Sequence, residues 1–213
     1  MHVPDGFLSP GIWAGAGLVS AGALAGAVAK TRTVLQERQV PVLGVMAAFI
    51  FAAQMVNFPV AGGTSGHLLG GALAAILLGP WNAFLVMATV LFIQCLFFAD
   101  GGLTALGANI LNMALLAPFS AHFVYKTITR TAGIRGRARP AAVFAASWLS
   151  VMVAALACTL EISFSGTVPL RFIFPAMAGW HALIGIGEGL ITTAVVAFVL
   201  RHGIFSLEVG ANE

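Results

Sequence analysis

The sequence predicts an all-α, polytopic transmembrane helical bundle, and two observations point to this fold class. Hydrophobic residues make up 60% of the chain and charged residues 8%, whereas soluble domains usually carry about 25% charged residues. The apolar runs are continuous, as in Ala141–Leu160, which disfavours a β-barrel with its alternating polar positions. Because backbone polar groups in lipid must be satisfied internally, the spans should be helices of about 20 residues.

Seven apolar segments lie between polar residues or Gly and Pro breaks, and we predict about seven transmembrane helices. The segments are Gly11–Ala29, Pro41–Phe58, Gly66–Leu78, Trp81–Phe98, Thr104–Tyr125, Ala141–Glu161 and Trp180–Leu200. The third is too short to cross a bilayer comfortably, so a tilted, half-buried or re-entrant helix is its alternative. We expect one membrane domain over residues 1–213, with the bundle in 11–202 and a cytoplasmic tail in 203–213.

The basic residues predict an amino terminus outside the cell and a carboxyl terminus in the cytoplasm. If all seven segments cross, only Arg171 of the ten Lys and Arg residues falls outside, as expected when inner loops are basic. The inner residues are Lys30, Arg32, Arg38, Lys126, Arg130, Arg135, Arg137, Arg139 and Arg201. This placement makes nucleic-acid binding a poor explanation for the net charge of +3.

The start of the chain does not resemble a signal peptide, because no basic residue precedes Lys30 and no cleavage site follows a short apolar core. Met1 is expected to stay in front of the bulky His2, which leaves a free α-amine outside. Cys95 and Cys158 both fall in apolar segments. Small core residues are the expectation for both, and a buried disulfide is the alternative.

Polar residues inside the apolar segments concentrate in the half that this orientation places outside. They are Gln54, Asn57, His67, Gln94, Asn109, Asn112, Glu161 and Glu188, against Asn82 and His122 in the inner half. Intramembrane polar groups are costly, so the asymmetry predicts a polar cup above an apolar floor. A pore would need polar lining at every depth. The alternative for each residue alone is an interhelical hydrogen bond.

The first two residues have the chemistry of a chelator. The α-amine of Met1, the backbone nitrogen of His2 and its Nδ1 can close two fused rings on one ion. An amide nitrogen binds only after losing its proton, which favours Ni(II) and Cu(II), with Co(II) weaker, and leaves one position of a square plane open. His67 follows a Gly-rich loop at a suitable depth and is the candidate for that position. Its alternative is a hydrogen-bonded histidine of a membrane loop.

Two further features would bring the terminus to His67 and orient the ligands. Pro4 restricts Val3 to extended conformations, and a turn at Asp5-Gly6 would fold the segment back into the cup. Ligating imidazoles need oriented partners. The candidates for such supporting roles are Asp5, Asn57, Thr64, Ser65, Glu188 and His181.

The chain resembles a known family over essentially its whole length, and three stretches carry the resemblance. They are Met1–Leu8, Asn57–Gly71 and Phe98–Gly102, and they are similar to the CbiM/NikM family, the substrate-specific membrane subunits of energy-coupling-factor transporters for cobalt and nickel. The family often has Ile where this chain has Val3. The resemblance implies that Met1, His2 and His67 hold the metal.

The resemblance also implies an assembly in the bacterial cytoplasmic membrane. The expected partners are a transmembrane coupling subunit, ABC-type ATPase subunits and, in some cases, a small accessory membrane subunit. We expect high-affinity capture of Co²⁺, with Ni²⁺ as the alternative, no resident cofactor and no catalysis. The chain has no G-x-x-x-x-G-K-[ST] phosphate loop, so ATP hydrolysis is expected on partner subunits.

Other function classes remain as alternatives. A facilitator or channel for a non-metal solute would work without ATPase partners and tolerate His2→Ala. An intramembrane metal-dependent hydrolase is disfavoured by the lack of a His-Glu-x-x-His pattern. A structural scaffold would leave the one-sided polar cluster unexplained.

Overall fold

The computed structural model describes residues 1–32, 39–60, 64–132 and 138–202, and helices dominate these ranges. Seven helices and one two-stranded hairpin are present there: α1 (Pro10–Thr31), α2 (Val40–Gln54), β1 (Phe58–Val60), β2 (Thr64–Gly66), α3 (Gly71–Leu78), α4 (Pro80–Phe98), α5 (Leu106–Ala132), α6 (Ala138–Phe164) and α7 (Leu170–Arg201). The predicted tail, together with Arg38, Gly63, Arg135 and Arg137, lies outside the described residues.

Five of the helices in the described ranges, α1, α4, α5, α6 and α7, are long and apolar enough to cross a membrane. Helix α2 is also apolar but has 15 residues. Large apolar side chains cover the outside of the bundle, such as Leu18 at 76% exposure and Phe123 at 70%. An exposed apolar surface of this extent suits a lipid environment, so the predicted helical membrane class agrees with the fold.

The third predicted segment is wrong as a membrane-spanning helix. Helix α3 has 8 residues and all of them are buried, so it rises only about 12 Å against a hydrocarbon core of about 30 Å. It begins at Gly71 instead of Gly66 because Gly70 adopts a positive φ of 77° and the residues before it are extended or in strand β2. The alternatives to a span were a tilted, half-buried or re-entrant helix, and the helix observed is short and buried along its whole length.

Two other predicted boundaries differ from the structure. Helix α2 ends at Gln54 instead of Phe58, because Pro59 restricts the preceding residue to extended conformations and Phe58 pairs with Gly66 in the hairpin. Helix α7 begins at Leu170, ten residues before the predicted start at Trp180, and continues through Pro175. That proline removes one backbone hydrogen bond but does not end the helix.

The amino-terminal segment, the hairpin and the loops after α4 and α6 meet at one end of the bundle, which we call the site end. The backbone N–H of Gly102 donates to the carbonyl of Val3 at 2.9 Å. The hydroxyl of Thr167 donates to the carbonyl of Phe7. These contacts join residues 1–8 to loops that lie about 100 and 160 positions further along the chain.

The opposite end of the bundle holds the carboxyl ends of α1 and α5 and the amino ends of α4 and α6. The ammonium of Lys30 lies 5.0 Å from the centre of the Trp81 ring. The Nε of Arg139 donates to the hydroxyl of Tyr125 at 3.4 Å. The described basic residues of the predicted inner loops are therefore at the end remote from the site end.

Both cysteines are free thiols, Cys95 half-buried and Cys158 buried. Cys158 lies in the core as predicted, whereas Cys95 lies outside it, and the disulfide alternative is wrong.

Candidate metal centre

Residues 1–3 are inserted into the bundle instead of trailing from it. Met1 and Val3 are 0% exposed and His2 is 4% exposed. The side-chain amide of Asn109 grips the backbone of Val3 on both sides. Its Oδ1 accepts from the Val3 N–H at 2.9 Å, and its Nδ2 donates to the Val3 carbonyl at 3.2 Å.

Asp5 anchors the turn that follows. Its carboxylate accepts from the backbone N–H groups of Leu103 at 3.1 Å and Thr104 at 2.7 Å, and from the Thr104 hydroxyl. These hydrogen bonds, led by that of the Thr104 side chain, lower the pKa of Asp5. Gly102 is required here because a Cβ at this position would lie 2.2 Å from the Asp5 backbone nitrogen. Asp5 therefore holds the segment in place and touches neither imidazole.

Three nitrogen-bearing groups converge at the buried end of the segment. The α-amine of Met1 lies 3.1 Å from Nε2 of His67, and the rings of His2 and His67 are stacked with centroids 4.6 Å apart. Metal–nitrogen bonds of about 2.0–2.1 Å at right angles put neighbouring donors about 2.9 Å apart. The amine and Nε2 therefore have the spacing of adjacent ligands on one ion.

The tautomer of each imidazole follows from its hydrogen-bond partner, and this assignment rests on the network. Nδ1 of His67 faces the carbonyl of Leu68 at 2.8 Å. A carbonyl only accepts, so Nδ1 carries the proton and Nε2 has its lone pair free towards Met1. Nε2 of His2 faces Oε1 of Gln94 at 3.2 Å, which leaves the lone pair on Nδ1. That atom is buried without a hydrogen-bond partner.

Burial keeps these groups neutral. It lowers the pKa of the Met1 α-amine to about 5. Burial, and next the charge of that amine, lower the pKa of His2 to about 3. The same two causes hold the pKa of His67 well below its ordinary value. Since all three pKa values lie below 7, the lone pairs are available at neutral pH.

Ser65 lies beside the converging nitrogens. Its carbonyl and its Oγ, the latter at 3.2 Å, accept from the Met1 amine. Its Oγ also accepts from the His2 backbone N–H at 3.3 Å. A supporting role next to the chelating atoms was predicted for Ser65, and this residue contacts two of them.

Glu188 supports the loop that carries His67 and does not contact the imidazole itself. Its buried carboxylate accepts from the N–H groups of Leu69 at 2.8 Å and Gly70 at 2.7 Å. The Nε2 of Gln54 donates to the Leu69 carbonyl at 2.6 Å. Two helices thus fix the backbone immediately after His67.

The remaining predicted supporting residues lie near the site without touching the chelating atoms. The Thr64 hydroxyl donates to the sulfur of Met177 at 3.1 Å. His181 is buried, and its Nδ1 donates to the Met177 carbonyl at 2.8 Å, while its Nε2 has no hydrogen-bond partner. Asn57 donates to Oδ2 of Asp100 at 3.4 Å.

Sequence reasoning missed Gln94, Asn109 and Asp100 as members of the site. Gln94 and Asn109 were in the one-sided polar set, and Asp100 was in a stretch that carried the family resemblance, but nothing local indicated which atoms they contact. Among the described residues, no three or more His, Cys, Asp or Glu side chains form a metal-binding group. The converging donors include main-chain nitrogens.

Comparisons with known proteins agree with a metal-transport fold. Residues 2–203 match the family model CbiM, described as the cobalt uptake substrate-specific transmembrane region. An Archaeoglobus fulgidus protein, whose name describes fused nickel transport, is 44% identical over 201 residues, 93% of this chain and 65% of that relative. This chain thus spans just under two thirds of that relative's length.

Two further matches cover nearly all of both chains. The cobalt transport protein CbiM of Acetoanaerobium sticklandii is 29% identical over 221 residues, 98% of this chain and 89% of that relative. A crystal structure of a truncated transition metal transporter is 34% identical, has a TM-score of 0.87, and covers 95% of this chain and 99% of that one.

Proposed function

The chain belongs to the CbiM family, and from that membership we propose that it captures Co²⁺ or Ni²⁺ with high affinity at a nitrogen site built from Met1, His2 and His67. Four donors are assigned: the α-amine, the backbone nitrogen and Nδ1 of His2, and Nε2 of His67. The ion is the cargo, and the chain carries out no catalysis.

The observation that carries this proposal is the convergence of neutral nitrogens whose protons are directed elsewhere. The protonated ring nitrogen of His2 donates to Gln94, and that of His67 donates to the Leu68 carbonyl. The other nitrogen of each ring is therefore free to bind a metal. Fixing the tautomer through the second ring nitrogen is how proteins orient ligating histidines. The burial of Met1 and His67 excludes competing water.

The choice of metal follows from the donor set only in part. Nitrogen donors in a square plane favour Ni(II) over Co(II) by affinity. Relatives carry names for both cobalt and nickel transport. We retain cobalt as the first expectation, because the opening motif resembles the cobalt branch of the family, and nickel as the alternative.

We infer that the chain is the substrate-binding subunit of an ATP-driven importer in the cytoplasmic membrane, with its amino terminus outside. In support, the described inner-loop basic residues lie at the end opposite the site: Lys30, Arg32, Lys126, Arg130, Arg139 and Arg201. A transmembrane coupling subunit and ABC-type ATPases would act on the chain, and an accessory membrane subunit could join them. The loops 31–40 and 126–140 are the expected contacts with the coupling subunit.

The test of the site is to block the α-amine. A chain with an amino-terminal tag should purify folded but without metal, whereas a carboxyl-terminal tag should leave one Ni²⁺ or Co²⁺ per chain. Metal analysis and mass spectrometry of the terminal peptide measure both. Stoichiometric tight metal on the amino-terminally blocked, folded chain would overturn the proposal. Metal-independent uptake that tolerates His2→Ala would favour a solute facilitator.

A further inference from the structure

We propose that Asp100 and the cavity it faces form an outer site, where a hydrated divalent cation binds before the nitrogen donors take it up. The inference rests on the proposed function and adds to it the route by which the ion arrives.

The cavity lies at the site end, and His2 is the donor residue that lines it. It has a volume of about 330 Å³, and the residues around it include His2, Asn57, Ser65, Asp100 and Gly101. A water occupies about 30 Å³ in the liquid, so six waters need roughly 180 Å³. An ion with its full hydration shell therefore fits.

The carboxylate of Asp100 stands beside the one chelating ring nitrogen that lacks a partner. Its Oδ1 is 3.3 Å from Nδ1 of His2, yet this contact does not have hydrogen-bond geometry. The ring proton of His2 is on Nε2, which faces Gln94. The lone pair on Nδ1 and the carboxylate of Asp100 therefore lie side by side without a proton between them, and both attract cations. A cation that bridges from the carboxylate to Nδ1 resolves this mismatch.

Charge balance points to the same residue. A divalent ion held by one deprotonated amide and three neutral nitrogens carries a net charge of +1, and a buried charge needs a partner. Asp5 and Glu188 each accept two backbone hydrogen bonds. Among the residues that the structure describes, Asp100 accepts one hydrogen bond, from Asn57 at 3.4 Å, so it is the carboxylate with the most capacity left to attract the ion.

The backbone that presents Asp100 is held in an unusual conformation. Ala99 directly follows α4 and has a φ of 52°. In the described ranges, every other residue with a positive φ is a glycine. Such conformations are unfavourable for residues other than glycine, and here the turn brings the Asp100 N–H to the Gln94 carbonyl at 3.1 Å. Gly101 follows with a φ of 94°, where a Cβ would lie 2.9 Å from Nδ2 of Asn109. The same Cβ would lie 3.5 Å from Cβ of His2, so the loop packs against the inserted segment.

The first test is the rate of metal association with the full chain in nanodiscs. Asp100→Asn keeps the size of the side chain and its Asn57 partner but removes the charge, and Asp100→Glu keeps the charge. We expect Ni²⁺ to associate about tenfold or more slowly with the Asn variant and with weaker dependence on salt, while Glu restores both. Wild-type rates and salt dependence in a folded Asn variant would overturn the inference.

The second test removes the imidazole of His2, and with it the nitrogen site, and keeps the carboxylate of Asp100. Mn²⁺ prefers oxygen ligands, so the His2→Ala chain should bind it weakly, and the His2→Ala, Asp100→Asn chain should not. Electron paramagnetic resonance of free Mn²⁺ measures both. No difference between the two variants overturns the outer site. Failure of the nitrogen site appears separately, as a wild-type chain that holds no tight Ni²⁺ or Co²⁺.

Discussion

The grip of Asn109 on Val3 leads to a quantitative prediction about how often the amino-terminal segment opens. In Asn109→Ala the Val3 carbonyl keeps its bond from Gly102, but the buried Val3 N–H loses its acceptor. An unsatisfied buried N–H costs about 1–3 kcal/mol, and each 1.4 kcal/mol is tenfold in an equilibrium constant. The opening equilibrium should therefore rise roughly 5- to 150-fold.

Acylation of the Met1 amine measures this opening directly. The amine is buried, so it reacts only from the open state, and its labelling rate follows the opening equilibrium when closing is fast. Labelling of the metal-free chain at neutral pH, read by mass spectrometry of the terminal peptide, should accelerate by the factor above.

Asn112→Ala is the matched control. Asn112 is a buried amide in the same helix, and it donates to Glu161 at 2.6 Å instead of to the segment. This variant should label the Met1 amine at the wild-type rate. Equal rates for wild type and Asn109→Ala, or equal acceleration by both variants, would refute the reasoning.

Two further predictions concern the fit of the segment and the protons released on binding. Gly102→Ala places a Cβ 2.2 Å from the Asp5 nitrogen, whereas the Cβ of Gly22→Ala meets no atom within 4 Å. The number of metal ions bound per chain should fall sharply in Gly102→Ala and stay at the wild-type value in Gly22→Ala. Equal metal retention by both variants would contradict the close packing of the segment against Gly102. Metal binding at pH 7 should release about one proton, that of the His2 amide, because the lowered pKa values leave the α-amine and both imidazoles neutral beforehand. An amine with its ordinary pKa of 8.0 would release a second proton. Calorimetry in buffers of different ionisation enthalpy measures the number released, and two or more protons would contradict a buried, neutral amine.

The long helices were predictable because each apolar run is about as long as a bilayer-spanning helix needs to be, whereas the course of the chain between α2 and α4 was not. Its course depends on the positive φ of Gly70 and on Glu188 in α7. The Glu188 carboxylate accepts from the N–H groups of Leu69 and Gly70, which lie 119 and 118 positions earlier in the chain. Hydropathy does not encode such a contact. By hydropathy alone, the apolar segment Gly66–Leu78 is as compatible with a membrane span as with a short buried helix.

The ligand set Met1, His2 and His67 stays a prediction from the sequence, and the contacts around it could not be predicted. The capacity of the first two residues to chelate a metal is local chemistry, visible in adjacent positions of the sequence. The roles of Gln94 and Asn109 depend on partners 92 and 106 positions away, which only the packed helices bring together. Asp5 was expected beside an imidazole, but its nearest donors proved to be the N–H groups of a loop.

The inserted terminus has a consequence for biosynthesis. Residues 1–3 bind partners that are made much later, since Val3 contacts Asn109 and the Met1 carbonyl accepts from the thiol of Cys158 at 4.0 Å. The segment can therefore reach its buried position only after α4, α5 and α6 are in place, so its burial reports that most of the bundle has assembled.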